Sequence, residues 1–400
     1  MGQKSHMILL DYPYTSDFLK ETIVQFQLPV VATVPAKEIM GDLKVNWISE
    51  RDAVISLRDK PDSKVYTNSE NSIEWIEQNT QGTGIPEKIR IFKNKYAFRE
   101  LIKEAYPDYF FSKLDLGDLD NLVLSSVRFP FIIKPIVGFF SLGVHLVSKA
   151  EDWPSIKSKI RSEMEATKAL YPKEVVDNTA FVLEEYIEGE EYALDCYFDE
   201  NGDPVILNVL HHVFKSMDDV SDRLYSSSEK TIRSLEKPIL EFLAVISSKI
   251  GLRNFPLHIE FRMKSGKLIP IEVNPMRFGG WCTTADLTWY SYGINSYLSF
   301  FESQRPDWNK IFEIRQEKTY SLILLDNNSG IPFEEIAYFD FGLLAKDFER
   351  PLHIRKVHME KYGVFGFIFT ETGKGNEQEL QRILHSDLRS YIKLLPSTLA

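Results

Sequence analysis

Two runs near the middle of the chain, LHIEFRM at 257–263 and LIPIEVNP at 268–275, are rich in β-forming residues and are separated by Lys264-Ser265-Gly266-Lys267. Two such runs joined by a short glycine-containing turn predict an antiparallel hairpin. A strand sends successive side chains to opposite faces. His258, Glu260 and Arg262 therefore share one face of the first strand. Glu272 and Asn274 share one face of the second, with Ile271 and Val273 opposite. A hairpin of this pattern buries its apolar face and brings two carboxylates and an amide carbonyl together on the other. Such oxygen donors suit Mg²⁺ held jointly with phosphates. The alternative is a solvated polar face. Acids on both strands, followed by Asn274-Pro275 and Gly279-Gly280, argue for a site.

Composition narrows the partners. Four hundred residues are enough for two or three domains. With 44% apolar and 26% charged residues the chain is ordinary for a globular protein. A net charge of −11 argues against nucleic acid, whose binders need a basic footprint. No stretch approaches the roughly 20 apolar residues of a membrane span, so no membrane partner is expected. The opening MGQKSH is polar and lacks the apolar core of a signal peptide; residues 1–6 are expected to be an expression leader, with the native start at Met7. Cys196 and Cys282 form neither a metal motif nor a disulfide framework, and a reducing cytoplasm is expected.

Along the chain, strands are expected at 7–11, 28–34, 54–57 and 64–66, with a helix at 18–27, in an α/β unit spanning 7–92. It has no Gly-x-Gly-x-x-Gly fingerprint. A helix at 94–105 opens the second unit, 93–305. Strands follow at 129–134 and 144–147, a helix at 153–169, strands at 181–186, 191–198 and 204–210, and a helix at 231–250 before Gly251. Arg305-Pro306-Asp307 marks a boundary. Beyond it, strands at 320–325 and 364–369 and a helix at 378–395 make a smaller α/β unit, 306–400.

Lys134 ends an apolar strand just before the glycine-containing loop 135–143. A strand-end lysine neutralises phosphate oxygens, and Gly138 and Gly143 let the backbone approach them. The loop is not a Walker A sequence. Further on, FVLEEYIEGEEYALDCYF offers backbone around Tyr186 and Ile187 for an adenine edge and Glu191 for ribose hydroxyls. A solvated acidic turn is the alternative for that segment taken alone.

The order of these features resembles the ATP-grasp superfamily over roughly residues 93–300: a lysine at a helix start in KNKYAFRELI, Lys134 with its glycine loop, a Glu-Glu-aromatic-aliphatic hinge with a later Glu, then Glu260, eleven residues, and Glu272-x-Asn274. Biotin carboxylase, D-alanine–D-alanine ligase and glutathione synthetase are members. The resemblance implies an α/β (α+β) ATP-grasp fold, with a pre-ATP-grasp α/β domain before it, a lid at about 125–185 and a small C-terminal α/β extension. It implies ATP with Mg²⁺ or Mn²⁺. Lys95 and Lys134 match the phosphate-binding lysines, and 135–143 the lid loop, with FFSL in place of small residues. Glu184, Tyr186 and Ile187 match the adenine hinge, Glu191 the ribose acid, and Glu260, Glu272 and Asn274 the metal ligands. Arg277 and Gly279-Gly280 resemble an Asn-Pro-Arg-x-Gly-Gly ending displaced by Met276, and Arg277 with the backbone of Gly279-Gly280 are candidates to bind the substrate carboxylate or the tetrahedral oxyanion.

His258 stands where related ligases direct an arginine at the reacting carboxyl; it is either that contact or a structural histidine tied to an acid. Lys215 follows a strand where ligases bring a cation to the γ-phosphate. Arg262 is a site residue or a partner of a neighbouring strand. His211, His212 and Arg223 are candidate pocket residues, but the adjacent histidines point oppositely and cannot chelate. Trp281, Trp289, Tyr290, Tyr292, Thr283, Thr284 and Asp286 are candidates either for the pocket or for the core.

The implied activity is an ATP-dependent carboxylate–amine ligase, joining a small carboxylate to an amine, amino acids among them, through an acyl phosphate. A homodimer is expected by analogy. The alternatives are a carboxylase-like enzyme with another acceptor and a regulatory nucleotide-binding module without turnover.

Overall fold

A computed structural model describes residues 6–60, 62–137, 143–168, 180–216 and 221–396. The first unit is a parallel sheet in the order β3-β2-β1-β4, built from β1 (His6–Leu9), β2 (Pro29–Val31), β3 (Asn46–Ile48) and β4 (Lys64–Thr67). Helices α1 (Asp17–Phe26), α2 (Val34–Met40) and α3 (Glu50–Asp59) connect the strands, as parallel pairing requires. Residues 54–57 lie in α3 and not in a strand. Val54 and Ile55 favour a strand, but Ser49 accepts from the Asp52 amide as an N-cap, and Ala53 and Leu57, four apart, are buried together. α4 (Asn71–Asn79) and α5 (Ile85–Lys93) lead to α6 (Lys95–Ile102), capped by Asn94.

A second, antiparallel sheet runs β5-β8-β6-β7, from β5 (Phe111–Asp115), β6 (Phe131–Pro135), β7 (His145–Val147) and β8 (Ala180–Glu185). It closes its own core with α7 (Trp153–Lys168), around Phe131, Trp153, Ile160 and Phe181.

The third sheet has eight antiparallel strands in the order β13-β12-β9-β10-β11-β14-β17-β16. They are β9 (Glu191–Phe198), β10 (Pro204–Val213), β11 (Leu224–Ser228), β12 (Phe255–Lys264), β13 (Lys267–Pro275), β14 (Lys318–Asp326), β16 (Arg350–Lys356) and β17 (Val364–Gly373). A ribbon of β15 (Ile336–Phe339) and β18 (Ile392–Leu394) stands apart. The strands beyond residue 305 extend the sheet that carries the hairpin: β14 pairs with β11 along its length. The helix expected at 378–395 stops at His385. Leu388 turns left-handed at φ 63, and 392–394 returns as β18. α8 (Glu229–Ile250) packs on β10, β11 and β13 through Leu235, Phe242 and Ile246, accommodating Pro238 within it. α9 (Thr283–Tyr292) packs on β14, β16 and β17. Among the described residues no helix is long and apolar enough to cross a membrane.

Candidate active site

The hairpin forms in the expected register. His258 pairs with Asn274 and Glu260 with Glu272; on the other side of β12, His258 pairs with Asp195, Glu260 with Ala193 and Arg262 with Glu191. Directly paired residues point to the same side of a sheet, so these groups share one face. A bulge after Glu260 sets Phe261 opposite Pro270. The extra residue breaks the alternation, and Ile271, expected on the far face, lines the site with Glu272. This face floors a cavity of about 1080 Å³ whose other walls come from the β5–β8 sheet, α6 and the segment after Asn274.

At one side of the cavity three cations meet two carboxylates, Glu184 buried and Glu272 partly exposed. Lys95 opens α6, and its Nζ lies 3.3 Å from Glu272. Arg99, one turn on, is fully buried, donating through Nε to Glu184 and through Nη1 to the Pro270 carbonyl. Lys134 Nζ is 2.6 Å from the other Glu184 oxygen. The Glu184 side chain is thus the counter-charge of two cations. Burial pushes its carboxyl up, but Arg99 and Lys134 override this and hold it at about 2. Lys134 is moved down, by burial first, with Arg99 adding to it against the pull of Glu184.

The hinge follows directly. Gly189, at φ +142, lies so close to β12 that a Cβ would sit 1.9 Å from the Met263 carbonyl. The connection 186–190 is thereby pressed against the hairpin, with Tyr186 and Ile187 in the cavity wall. Glu191 accepts from Arg262 Nε and lies 2.9 Å from His212 Nδ1. Burial raises its pKa, but His212 and Arg262 bring it below the ordinary carboxylate value. Arg262 also donates to the Ile187 carbonyl and lies 5.5 Å over the Tyr186 ring, so it braces the hinge. His211 stacks on Tyr192 and His212 on Tyr225, pointing apart as adjacent strand residues must.

His258 is tied to an acid: its Nδ1 is 2.7 Å from Asp195, and its Nε2 is 3.8 Å from Glu260. Burial works against the imidazolium, but Asp195 and Glu260 hold its pKa at about 9. The same Asp195 oxygen accepts from the Gly279 amide, which also reaches Thr284 Oγ1. Gly279 has to be glycine, because a Cβ would meet the Thr284 side chain at 2.3–2.9 Å. Its N–H, so occupied, is not free to bind an oxyanion; Gly280, Thr283 and Thr284 line the cavity instead. Arg277 donates from Nε and Nη2 to Glu70 and from Nη1 to Phe278, leaving two of its five N–H groups for a ligand. Glu70 also pairs with Lys93.

Of the residues singled out in the sequence as site candidates, sixteen line this one cavity: Lys95, Lys134, Glu184, Tyr186, Ile187, Glu191, His258, Glu260, Arg262, Glu272, Asn274, Arg277, Gly280, Trp281, Thr283 and Thr284. Gly143 is not brought in; it is buried behind Pro135. Gly138 lies outside the described residues. Lys215 sits at an exposed position after β10 and is not part of the cavity wall among the described residues. Arg223 is a structural group, paired with Asp326 and donating to the carbonyls of Ile383 and Ser386. Trp289 stacks on Phe18, Tyr290 on His353, and Tyr292 is in the core. Asp286 is buried against Arg355 and Ser16. Arg99, Asp195, Glu70 and Lys93 were not anticipated. Asp195, an acid inside the apolar run ALDCYF, and Arg99, four residues after Lys95 on a mostly buried helix face, carried a readable signal.

Glu260, Glu272 and Asn274 fit a hard divalent cation by donor type: two carboxylates on paired positions and an amide oxygen two residues along β13. Glu260 is pushed up, by burial first and then by the neighbouring Glu272 carboxylate. No group of three or more His, Cys, Asp or Glu side chains among the described residues is placed to hold a metal alone.

This fold is the ATP-grasp fold. Residues 127–285 match the family model of the ATP-grasp domain. The fold is that of L-amino acid ligase from Bacillus licheniformis, at TM-score 0.70 and 17% identity over 99% of both chains. Biotin carboxylase from Campylobacter jejuni aligns at TM-score 0.62 and 11% identity over 97% of this chain and 92% of that one. A curated protein, glutamate racemase from Hydrogenobaculum sp. (strain Y04AAS1), is 29% identical over 123 residues, 30% of this chain. The chain spans 47% of that relative's length, about half.

The geometry gives a direct expectation for Lys134. Lys134→Ala weakens ATP binding about tenfold or more, since a charge-assisted contact is worth about 1.5–3 kcal/mol. Titration with a fluorescent ATP analogue reads this, and an unchanged Kd removes Lys134 from the site.

Proposed function

We propose that the chain is an ATP-dependent carboxylate–amine ligase, working on small molecules with amino acids as the best-fitting class, and releasing ADP and phosphate. The carrying observation is one cavity in which Lys95 and Lys134 stand opposite Glu260 and Glu272, and which continues past Asn274 into a separate wall. Its volume, at the upper end for small-molecule sites, leaves room for a second molecule beside a nucleotide.

In this reading the base lies at Tyr186 and Ile187 and the ribose at Glu191. Lys95 and Lys134 neutralise phosphate oxygens. Glu260, Glu272 and Asn274 hold Mg²⁺ or Mn²⁺, which screens the β- and γ-phosphate charge when bound. A substrate carboxylate oxygen attacks the γ-phosphorus and the bond to ADP breaks, giving an acyl phosphate. The amine nitrogen then attacks the acyl carbon, the C–O bond to phosphate breaks, and the amine proton leaves with the phosphate. The protein's part is positioning and charge stabilisation. The free N–H groups of Arg277 grip the carboxylate, and His258, held as imidazolium by Asp195, adds positive charge beside Glu260. Cytoplasmic residence, where ATP is supplied, and a homodimer belong to the same proposal.

The test is phosphate release with ATP and Mg²⁺ over a matrix of carboxylates and amines, single and paired, with mass spectrometry of active wells. Release that needs both partners, with a product of their summed mass less water, is expected. Release needing bicarbonate and an acceptor would point to the carboxylase-like reading. ATP binding with no stimulated release by any pair would point to a module without turnover.

A further inference from the structure

The eight-stranded sheet changes character along a single row. Arg262, Glu191, His212, Tyr225, Leu322 and Phe369 are successive Cα partners across β12, β9, β10, β11, β14 and β17. The row begins charged and ends apolar. Leu324 and Phe367, paired one step along, point the same way. Together with Val364 and Trp281 they make a wall of the cavity that carries no charge. Every strand of this wall except β11 comes from beyond residue 305.

The wall is also fixed. Trp281 has a left-handed backbone, φ 55, which a bulky residue holds only when its surroundings impose it. Its carbonyl accepts from Arg355 Nη1 at 2.7 Å. Its ring stacks on Tyr14 and meets the edges of Tyr362 and Phe367, at centroid distances of 5.2–5.9 Å. Thr283, Thr284 and Arg277 also line the cavity, on the segment that links Asn274 to α9. Tyr225, where the wall begins, is three strand spacings from β12, about 14 Å on a flat sheet. A methyl side chain covers little of that interval, and a Leu, Met or aromatic side chain covers more of it.

Resting on the ligase reading, we propose that the carboxylate substrate is an amino acid with a large apolar side chain. That side chain is seated on Tyr225, Leu322, Leu324, Val364, Phe367 and Trp281, so the C-terminal strands set the acid specificity. Each buried methylene adds about 0.8 kcal/mol, so leucine over glycine is expected to reach about 100-fold.

The experiment uses the full chain with ATP, Mg²⁺ and hydroxylamine as a common amine, across glycine, alanine, leucine, methionine, phenylalanine, aspartate and lysine. ADP and hydroxamate are both measured. Hydroxamate from leucine, methionine or phenylalanine at kcat/KM about 100-fold above glycine, with aspartate and lysine lowest, is the expected result. Phe367→Ala then narrows the preference about tenfold, with ATP-analogue affinity within about twofold of wild type. Hydroxamate formed best from glycine, aspartate or lysine overturns the apolar seat and leaves the ligase standing, as does a Phe367→Ala enzyme with unaltered preference. No hydroxamate from any acid overturns both.

Discussion

Glu272→Gln is expected to lower turnover at least about 10³-fold while leaving the fold intact. The glutamine keeps the size and one oxygen but loses the charge that makes Glu272 a hard-cation ligand beside Glu260. Losing several kcal/mol of charge stabilisation at the phosphates corresponds to three or more decades in rate. Stability is spared because the remaining interaction is small. The pair with Lys95 is partly exposed, with side-chain exposures of 18% and 37%, and such pairs contribute about 0–1 kcal/mol. Glu260 even gains, since a repelling neighbour is gone. Steady-state kinetics and thermal melting read the two halves separately, and Mn²⁺ titration by electron paramagnetic resonance in the presence of ATP reads the ligand role without turnover. Near-wild-type activity, or unchanged Mn²⁺ affinity, would refute the assignment.

The parts of this site that were legible in the sequence are those with local causes. Alternation and a Ser265-Gly266 turn set the hairpin, and its faces follow from period two. What failed there was local too: one extra residue in β13 moved Ile271 to the site, and no periodicity predicts where a bulge falls. The partners of the predicted residues were not legible, because they come from sequence-distant elements. Glu184 reads as part of a hinge, and nothing near it in the sequence announces its partner Arg99, delivered by α6 from 85 residues away. Arg277 reads as an anion binder, yet Glu70, 207 residues earlier, takes its Nε.

The same distinction explains the C-terminal third. The strands at 318–326 and 364–373 are visible as β-rich runs, but the pairing of the first with β11, which joins both to the sheet, is long-range and leaves no trace in either segment. A reading by segments therefore divides at Arg305-Pro306-Asp307 what the sheet unites. The division hid the second wall of the cavity, since Leu322, Leu324 and Phe367 look like ordinary core residues until the row from Arg262 is followed across the strands.

Glu184→Ala is expected to cost more stability than any other single change in the site. Arg99 is 2% exposed and Lys134 6%, and both depend on Glu184 for their charge. Burying a pair yields little net stabilisation, but removing one member leaves the others uncompensated, at about 3–5 kcal/mol. For a unit of this size that is a fall of roughly 5–15 °C in apparent melting temperature. Here two cations are stranded by one deletion, and Arg99 keeps the Pro270 carbonyl and the Tyr109 ring but no carboxylate. The pH dependence gives a signature that mere loss of packing would lack. Glu184 is held at about 2, below its ordinary 4.5, so its contribution is complete above pH 4.5 and is lost as pH falls towards 2. The gap between wild type and Glu184→Ala should therefore be widest at neutral pH and close across that window in denaturant titrations. A gap that stays constant from pH 7 to pH 3 would mean that Glu184 fills space and does not balance charge. ATP binding should weaken in the same variant even where it is folded, because Lys134 loses the carboxylate that holds its ammonium group in the cavity wall.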